Sequence, residues 1–285
     1  MKSFFPLILI FIFSSFFTAC SKDDVQEQEG TVARSIPNLS YGNNTRHKMD
    51  IYLPADRSTT KTKTILLIHG GGWTSGAKEE MSGAVDSIRK MLPEYATVNV
   101  GYRLAADGTT NVFPAQENDI KAAVEFYLAK SDEYEVSKDL VMVGASAGAH
   151  LALLHAYKND PQRRVKAVAD FFGPTDLEAA WSYGGLAHIL LWQVTGKTFD
   201  QAPELYRNSS PVNFVTAQSP PTIMFQGGVD IVVPPDQTNR LEAKLNAAGV
   251  KNQKVFYPAE GHGFTDPNLR DALQKTVAFI RENVR

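Results

Sequence analysis

The sequence has few of the features that mark several large classes of protein. Its 285 residues include one cysteine, which excludes a disulfide framework and any cysteine-based zinc site. A formal net charge of −2 leaves no basic excess, so the chain does not fit a duplex nucleic-acid binder. No internal repeat is visible. With 43% hydrophobic and 21% charged residues, the composition also excludes long disorder and a multi-pass membrane protein.

The longest apolar run lies at the N-terminus. A positively charged start, Met1-Lys2-Ser3, is followed by an almost unbroken apolar run from Phe4 to Phe17. That run is short for a membrane-spanning helix, which needs about 20 residues, and it is typical of a secretory signal. The single cysteine follows in Ala19-Cys20-Ser21, which resembles the lipobox of bacterial lipoproteins. In those proteins cleavage precedes the cysteine, which then carries a lipid.

We therefore expect residues 1–19 to be a lipoprotein signal peptide, and residues 20–31 to be a polar, acidic and disordered tether. An ordinary signal peptide with an incidental cysteine is the alternative. Lys22-Asp23-Asp24 resembles the export signal with which some bacteria place lipoproteins on the outer surface. The expected location is the bacterial outer membrane, anchored through Cys20 and facing either the periplasm or the cell surface.

Beyond the tether, apolar segments alternate with helical patterns. Strands are predicted at Lys48–Leu53, Thr64–Ile68, Ala96–Tyr102, Leu140–Val143, Val165–Phe172, Thr222–Phe225 and Lys254–Tyr257. Helical spacing of apolar residues occurs at 120–128, 241–245 and 269–280. This alternation predicts one α/β domain at 32–285 with a mostly parallel sheet, whose ligands bind beyond the carboxyl ends of the strands.

Two of the loops that follow strands carry chemical signals. His69-Gly70-Gly71-Gly72-Trp73 follows the second predicted strand, and its bare amide groups can face a developing negative oxygen; a plain glycine-rich turn is the alternative. Gly144-Ala145-Ser146-Ala147-Gly148 stands between a strand and a run of helix formers. This G-x-S-x-G pattern in that context predicts a nucleophilic serine on a sharp turn, Ser146.

A serine nucleophile needs a base, and an acid that orients the base. Of the six histidines only His188 and His262 follow Ser146. His188 lies in an apolar helical pattern, whereas His262 lies between two glycines directly after a predicted strand, so we favour His262. Asp230 is the first carboxylate after the preceding strand and is our candidate acid. Asp236 is the fallback, although the prolines before it suggest a helix start.

Together these residues resemble the α/β-hydrolase fold, and more closely the hormone-sensitive-lipase-like and HGGGW-bearing bacterial carboxylesterases, including acyl-sugar and feruloyl esterases. The resemblance runs from about Lys48 to the C-terminus. It also includes Tyr102-Arg103-Leu104, Phe113-Pro114-Ala115, and Phe172-Gly173-Pro174-Thr175-Asp176. It implies an eight-stranded, mostly parallel sheet flanked by helices, with Ser146 as nucleophile, His262 as base and Asp230 as acid.

The same resemblance implies that the N–H groups of Gly71, Gly72 and Ala147 form the oxyanion hole, with Trp73 as a possible replacement for one glycine. The sequence departs from the family pattern at two places, which leaves the subfamily open. Gln226-Gly227 stands where relatives often have His-Gly, and Ala149 stands where they often have glycine. Neither touches a reacting group. No cofactor or metal is expected, because the triad needs none. The oligomeric state is open.

A long connection, 175–211, is expected to form a small cap that lines the acyl or leaving-group pocket, with Trp73, Trp181 and Trp192 in the pocket; a packed helical excursion without substrate contact is the alternative. The expected reaction is hydrolysis of a small carboxylic ester or an acylated glycan. An amide hydrolase of the arylformamidase or peptidase type, and a non-catalytic binding module, are the competing interpretations.

The lipoprotein hypothesis predicts that Cys20 carries a lipid and that the fold does not need it. In a bacterium that processes lipoproteins, the wild-type chain should incorporate labelled palmitate and partition with membranes, while Cys20→Ala loses the label. A chain beginning near Thr31 should stay soluble and active. An unlabelled, freely soluble wild-type protein would refute the anchor.

Overall fold

The computed structural model describes Met1 and residues 32–284. The rest of the predicted signal peptide, Cys20 and the tether through Thr31 lie outside the described residues. Within the described part of the chain, no helix is both long enough and apolar enough to cross a membrane.

The centre of the molecule is one eight-stranded sheet. Its strands are β1 (Arg34–Ser40), β2 (Lys48–Leu53), β3 (Thr64–Ile68), β4 (Ala96–Val100), β5 (Leu140–Ala145), β6 (Val165–Phe171), β7 (Thr222–Gly227) and β8 (Asn252–Tyr257). They lie in the order β1-β2-β4-β3-β5-β6-β7-β8. Strands β4, β3, β5, β6, β7 and β8 pair in parallel, and β2 is antiparallel to both of its neighbours. The predicted mostly parallel sheet is confirmed.

Strand β1 is the strand that the residue pattern did not predict. It is an edge strand, it contains Pro37, and most of its side chains are exposed. An edge strand with no buried face has no alternating apolar pattern to reveal it. Seven strands follow from the local sequence, whereas the count of eight followed only from the family resemblance.

The helices are α1 (Ser82–Met91), α2 (Ala115–Ala129), α3 (Ala147–Lys158), α4 (Leu177–Trp181), α5 (Gly185–Thr195), α6 (Pro203–Asn208), α7 (Asp236–Ala247) and α8 (Asn268–Asn283). Helices α1 and α8 contribute to the apolar cluster on one face of the sheet. Helices α2, α3 and α7 contribute to the cluster on the other face. Both faces are thus covered, as a parallel sheet requires.

Strand β3 shows how the core is divided. All five of its residues are buried. Ile65 and Leu67 belong to the cluster with α1 and α8, while Leu66 and Ile68 belong to the cluster with α2, α3 and α7. Burying each such side chain contributes about 1.5–3 kcal/mol. A strand that is buried on both faces holds its carboxyl end in a fixed place, and the His69–Trp73 loop begins there.

The predicted cap segment leaves the sheet after β6 and returns at β7. It forms the three short helices α4, α5 and α6, followed by a single 3₁₀ turn at Pro211–Phe214. Asp176 is the N-cap residue of α4, because its carboxylate accepts a hydrogen bond from the backbone N–H of Ala179 at 3.0 Å. The segment lies over the carboxyl ends of the strands, where the candidate site residues gather.

Candidate active site

Ser146 occupies a strained turn between β5 and α3. Its φ of 53° and ψ of −123° lie in a region that a non-glycine residue rarely adopts. The turn is held because the Ser146 N–H donates to the carbonyl of Phe171 at 2.8 Å. Strain of this kind persists only where the surroundings impose it, and here it projects the hydroxyl beyond the end of the strand.

The glycines beside Ser146 are required by close packing. A β-carbon on Gly148 would lie 2.2 Å from the carbonyl oxygen of Ile68, and one on Gly144 would lie 2.4 Å from the carbonyl oxygen of Gly148. Such distances are shorter than any real contact allows. The helix that follows Ser146 can therefore approach the end of β3 only with glycine at these positions.

The structure brings Ser146, His262 and Asp230 together in one hydrogen-bonded series. His262 Nε2 lies 2.8 Å from Ser146 Oγ, and His262 Nδ1 lies 2.8 Å from Asp230 Oδ2. The three residues come from the loops after β5, β7 and β8, at the same edge of the sheet. The first distance is suitable for transferring the serine proton to the imidazole, and the second for a hydrogen bond that orients the ring.

Asp230 is held independently of the histidine. Its other oxygen, Oδ1, accepts the backbone N–H groups of Val232 at 2.9 Å and Val233 at 2.8 Å. The side chain of Asp230 is fully buried. The fallback, Asp236, lies elsewhere: it begins α7 and accepts hydrogen bonds from Tyr183 at 2.7 Å and Arg240 at 2.6 Å. The geometry therefore favours Asp230 over Asp236 as the partner of His262.

The loop after β3 presents backbone donors to the same place. Gly71 and Gly72 have φ values of 105° and 57°, which a side chain would strain. Within the described residues, neither of their N–H groups donates a hydrogen bond. Ala147 is the first residue of α3, where N–H groups have no partner inside the helix. All three candidate oxyanion residues line the cavity that contains Ser146 and His262.

Buried aromatic residues hold this loop. The phenol of Tyr102 donates to the carbonyls of His69 at 3.0 Å and Gly70 at 3.1 Å, and its ring stacks on His69. On the next turn, Trp73 Nε1 donates to His150 Nδ1 at 3.2 Å. Burial lowers the pKa of His69 and of His150 to about 4, so both imidazoles are neutral supports rather than charges near the site.

The candidate residues open into a cavity of about 520 Å³. Apart from Ser146, His262 and the glycine loop, its wall is mainly apolar. The apolar wall comes from the cap and from the loops after β6 and β7: Phe172, Pro174, Leu177, Ala180, Leu186, Ala187, Leu190, Leu191, Val232 and Val233. A cavity of this size and character suits a small organic substrate.

The three tryptophans predicted for the pocket have different positions. Trp73 is among the lining residues, although only 4% of it is exposed and its indole is directed to His150. Trp181 and Trp192 lie outside the cavity wall, which corrects the pocket prediction for both. Trp181 stacks on His188 with ring centroids 4.0 Å apart, and Trp192 packs over Gly108.

The correction has a simple geometric reason. Leu186 and Leu190 of α5 are four residues apart and share the helix face that lines the cavity. Trp192 follows Leu190 by two residues, which places it on the opposite side of the helix, where it is 44% exposed. The spacing of residues along α5 therefore indicates which side chains face the cavity, whereas the size of a side chain does not.

Glu80 also lines the cavity, although no sequence pattern predicted this position for it. It lies in the single 3₁₀ turn before α1 and lines the cavity with an exposed carboxylate. Its position depends on the path of the chain after Gly76. Among the described residues, no group of three or more His, Cys, Asp and Glu side chains is arranged to hold a metal ion.

The eight-stranded sheet and its flanking helices are those of the α/β-hydrolase class. Within that class the chain belongs to the BD-FAE family, because the BD-FAE family model matches residues 49–245, more than half of the chain. Among curated relatives, the esterase LipC of Mycobacterium tuberculosis is 29% identical over 241 residues, which are 79% of this chain and 58% of LipC. The chain thus spans little more than half the length of such relatives.

Solved structures show the same similarity. A truncated carbohydrate esterase from gut microbiota superimposes with a TM-score of 0.73 at 25% identity, covering 90% of this chain and 98% of that protein. A bifunctional GH43-CE protein of Bacteroides eggerthii gives a TM-score of 0.74 at 25% identity, covering 88% of this chain and 38% of its own. Another curated relative, the kynurenine formamidase of Salmo salar, is 31% identical over 135 residues, which are 47% of this chain and 42% of the formamidase.

A buried carboxyl lies directly below the site. Asp170 of β6 is fully buried, its Oδ1 accepts the N–H of Gly173 at 2.8 Å, and among the described residues its Oδ2 has no hydrogen-bond partner. Burial raises the pKa of Asp170 to about 7. The hydrogen bond holds the turn from which Phe172 and Pro174 reach the cavity wall.

This carboxyl predicts a pH-dependent stability. The pKa is higher in the folded chain than in the unfolded one, so stability is full below pH 4 and is lost as the pH rises toward 7. Asp170→Asn lacks this titration, so the wild type should lose about 4 kcal/mol relative to it between pH 4 and 8. Denaturant unfolding at several pH values measures the difference. A difference independent of pH would contradict the assignment.

Proposed function

We propose that this protein is a serine hydrolase that cleaves carboxylic esters through an acyl-enzyme, with Ser146, His262 and Asp230 as its catalytic triad. The observation that carries the proposal is the hydrogen-bonded series from Ser146 Oγ through His262 to the buried Asp230 carboxylate. The names of the curated relatives, which are esterases and a probable carboxylic ester hydrolase, support the same reaction.

In the first half-reaction, His262 Nε2 accepts the Ser146 proton as Oγ attacks the ester carbonyl carbon. The carbonyl oxygen gains negative charge and is stabilised by the N–H groups of Gly71, Gly72 and Ala147. The Nδ1–H of His262 donates a hydrogen bond to the Asp230 carboxylate, which fixes the tautomer that leaves Nε2 free as the base. The imidazolium then gives its proton to the leaving alcohol oxygen as the carbon–oxygen bond breaks.

In the second half-reaction, water attacks the acyl-serine carbonyl and gives its proton to His262 Nε2. The same backbone N–H groups stabilise the second tetrahedral intermediate. Its collapse breaks the bond to Ser146 Oγ, which recovers a proton from the imidazolium, and a carboxylic acid is released. The strained backbone at Ser146 keeps the hydroxyl between the base and the oxyanion donors throughout the cycle.

The proposed substrate is a short-chain acyl ester, with an acylated sugar as the favoured class. The cavity of about 520 Å³ is mainly apolar and suits a small acyl group better than a triglyceride. Two solved structures at 25% identity are described as carbohydrate esterases or as carrying a CE module, which supports a sugar ester. Kinetic comparison of acetylated xylan, feruloylated sugar and p-nitrophenyl esters tests the class.

Amide hydrolysis is the second candidate, because kynurenine formamidases are among the relatives over nearly half of the chain. The same triad cleaves an amide when His262 protonates a leaving nitrogen. Parallel assays with p-nitrophenyl esters and p-nitroanilides separate the two reactions, and inactivity toward both would favour a non-catalytic binding module.

We also propose that the enzyme acts from the outer membrane through a lipid on Cys20. The support is the position of the single cysteine directly after a short apolar run. A domain tethered in this way meets glycans outside the cytoplasm, which agrees with the proposed substrate class.

Ser146→Ala should lower kcat for p-nitrophenyl acetate at least roughly 10³-fold, because no other group in the site can form the acyl-enzyme. Ser182→Ala, which removes an exposed hydroxyl outside the cavity, is the matched control and should keep wild-type activity. Circular dichroism checks that both variants are folded. A folded Ser146→Ala enzyme with near wild-type turnover would overturn the mechanism.

Asp230→Asn should lower kcat by roughly 10³- to 10⁴-fold, since an amide in place of the carboxylate favours the wrong imidazole tautomer. Asp236→Asn makes the same chemical change on an exposed carboxylate 6 residues further along the chain and should leave kcat within about twofold. If Asp236→Asn caused the larger loss, the two acids would have to exchange roles.

A further inference from the structure

A second cavity adjoins the catalytic one on the α1 and α8 side of the sheet. Its volume is about 670 Å³, and it shares Glu80, Met81, Ala145 and Phe172 with the catalytic cavity. Ala145 directly precedes Ser146. The two cavities therefore share part of their walls beside Ser146.

The interior of the second cavity is apolar and rich in aromatic rings. Phe171, Phe172 and Phe264 pack around one another, with ring centroids between 5.1 and 6.4 Å apart. Met81 and Leu273 continue the same wall. Polar side chains that also border the cavity are Ser87, Lys90, Asp266, Arg270 and Gln274. This combination suits a ring that has an apolar face and hydrogen-bonding groups at its edge.

His262 lines the catalytic cavity, and Phe172 connects it to the wall of the second cavity. His262 protonates the leaving oxygen, so the alcohol portion must lie on the His262 side of Ser146. Phe172, which borders both cavities, packs against the His262 ring at 4.9 Å and against Phe264 at 5.1 Å. Helix α5 of the cap instead packs next to the glycine loop, since a β-carbon on Gly72 would lie 3.2 Å from Leu190.

Resting on the proposed esterase activity, we infer that the second cavity binds the alcohol portion of the substrate. The occupant is a ring-bearing alcohol of pyranose or aryl size, while the acyl group lies in the catalytic cavity under α5. The division of the ester between the two cavities makes alcohol selectivity a property of α1 and α8, and acyl selectivity a property of the cap.

Gly83 is a suitable position for a substitution that narrows the second cavity. It lies in α1, borders the cavity, and an added β-carbon would meet no atom within 4 Å. Replacing a helical glycine also removes a residue that is unfavourable in a helix. Gly83→Phe therefore fills the cavity without touching Ser146, Asp230 or His262. Gly83→Ala controls for loss of the glycine, and Asp86→Phe adds the same ring on α1 outside the cavity wall.

The test uses two isomeric esters assayed by pH-stat: 2-phenylethyl acetate has the ring on the alcohol, and ethyl phenylacetate has it on the acyl group. Gly83→Phe should lower kcat/KM for 2-phenylethyl acetate at least tenfold and leave that for ethyl phenylacetate within about twofold. Asp86→Phe should leave both within about twofold, and Gly83→Ala should lower kcat/KM for 2-phenylethyl acetate much less than Gly83→Phe does. A mono-O-acetylated methyl xyloside, as the sugar arm, should lose activity together with 2-phenylethyl acetate.

Three outcomes would overturn the inference. Selective loss of activity toward ethyl phenylacetate would assign the second cavity to the acyl group. Unchanged kinetics with both esters in a folded Gly83→Phe enzyme would show that substrate does not enter the cavity. A wild-type enzyme that hydrolyses none of these esters would instead refute the proposed esterase function, and the inference would fall with it.

Discussion

The close approach of the start of α3 to the end of β3 is the constraint on which the site depends. A β-carbon on Gly148 would collide with the carbonyl of Ile68, and one on Gly70 would lie 3.0 Å from the carbonyl of Ala145. Only bare backbone fits between these segments. That same closeness brings the glycine loop and Ala147 to the cavity that contains Ser146, whose backbone has a positive φ. Packing of the backbone and the proposed chemistry thus have one cause.

The ionisable side chains near this junction include two that are neutral and one whose charge is compensated by hydrogen bonds. His69 and His150 are buried with pKa values near 4, and each supports the glycine loop without adding charge. Asp230 is buried but is satisfied by two backbone N–H groups and by His262. Asp170 differs, since burial raises its pKa to about 7. In the proposed mechanism, Asp230 is the carboxylate that is hydrogen-bonded to the positive charge developing on His262.

The end of the sheet separates the two adjoining cavities. Val143 and Phe171 face α1 and α8, and they border the second cavity. The cap follows β6 and covers the opening beside the glycine loop. The proposed ester substrate has two groups to accommodate, and the carboxyl ends of β5 and β6 lie between the two cavities that we infer to bind them.

The sequence by itself determined seven of the eight strands, in their order, and the three residues that meet at the site. Buried strands are continuous apolar runs, and a residue directly after such a strand must lie at the carboxyl edge of a parallel sheet. The residue pattern did not reveal β1, because an exposed edge strand leaves no alternation to detect. Only the tertiary structure decided that Leu190, not Trp192, faces the cavity and that a second cavity lies between α1 and α8. These features depend on the direction of each helix face and on gaps between elements distant in sequence, which local patterns do not record.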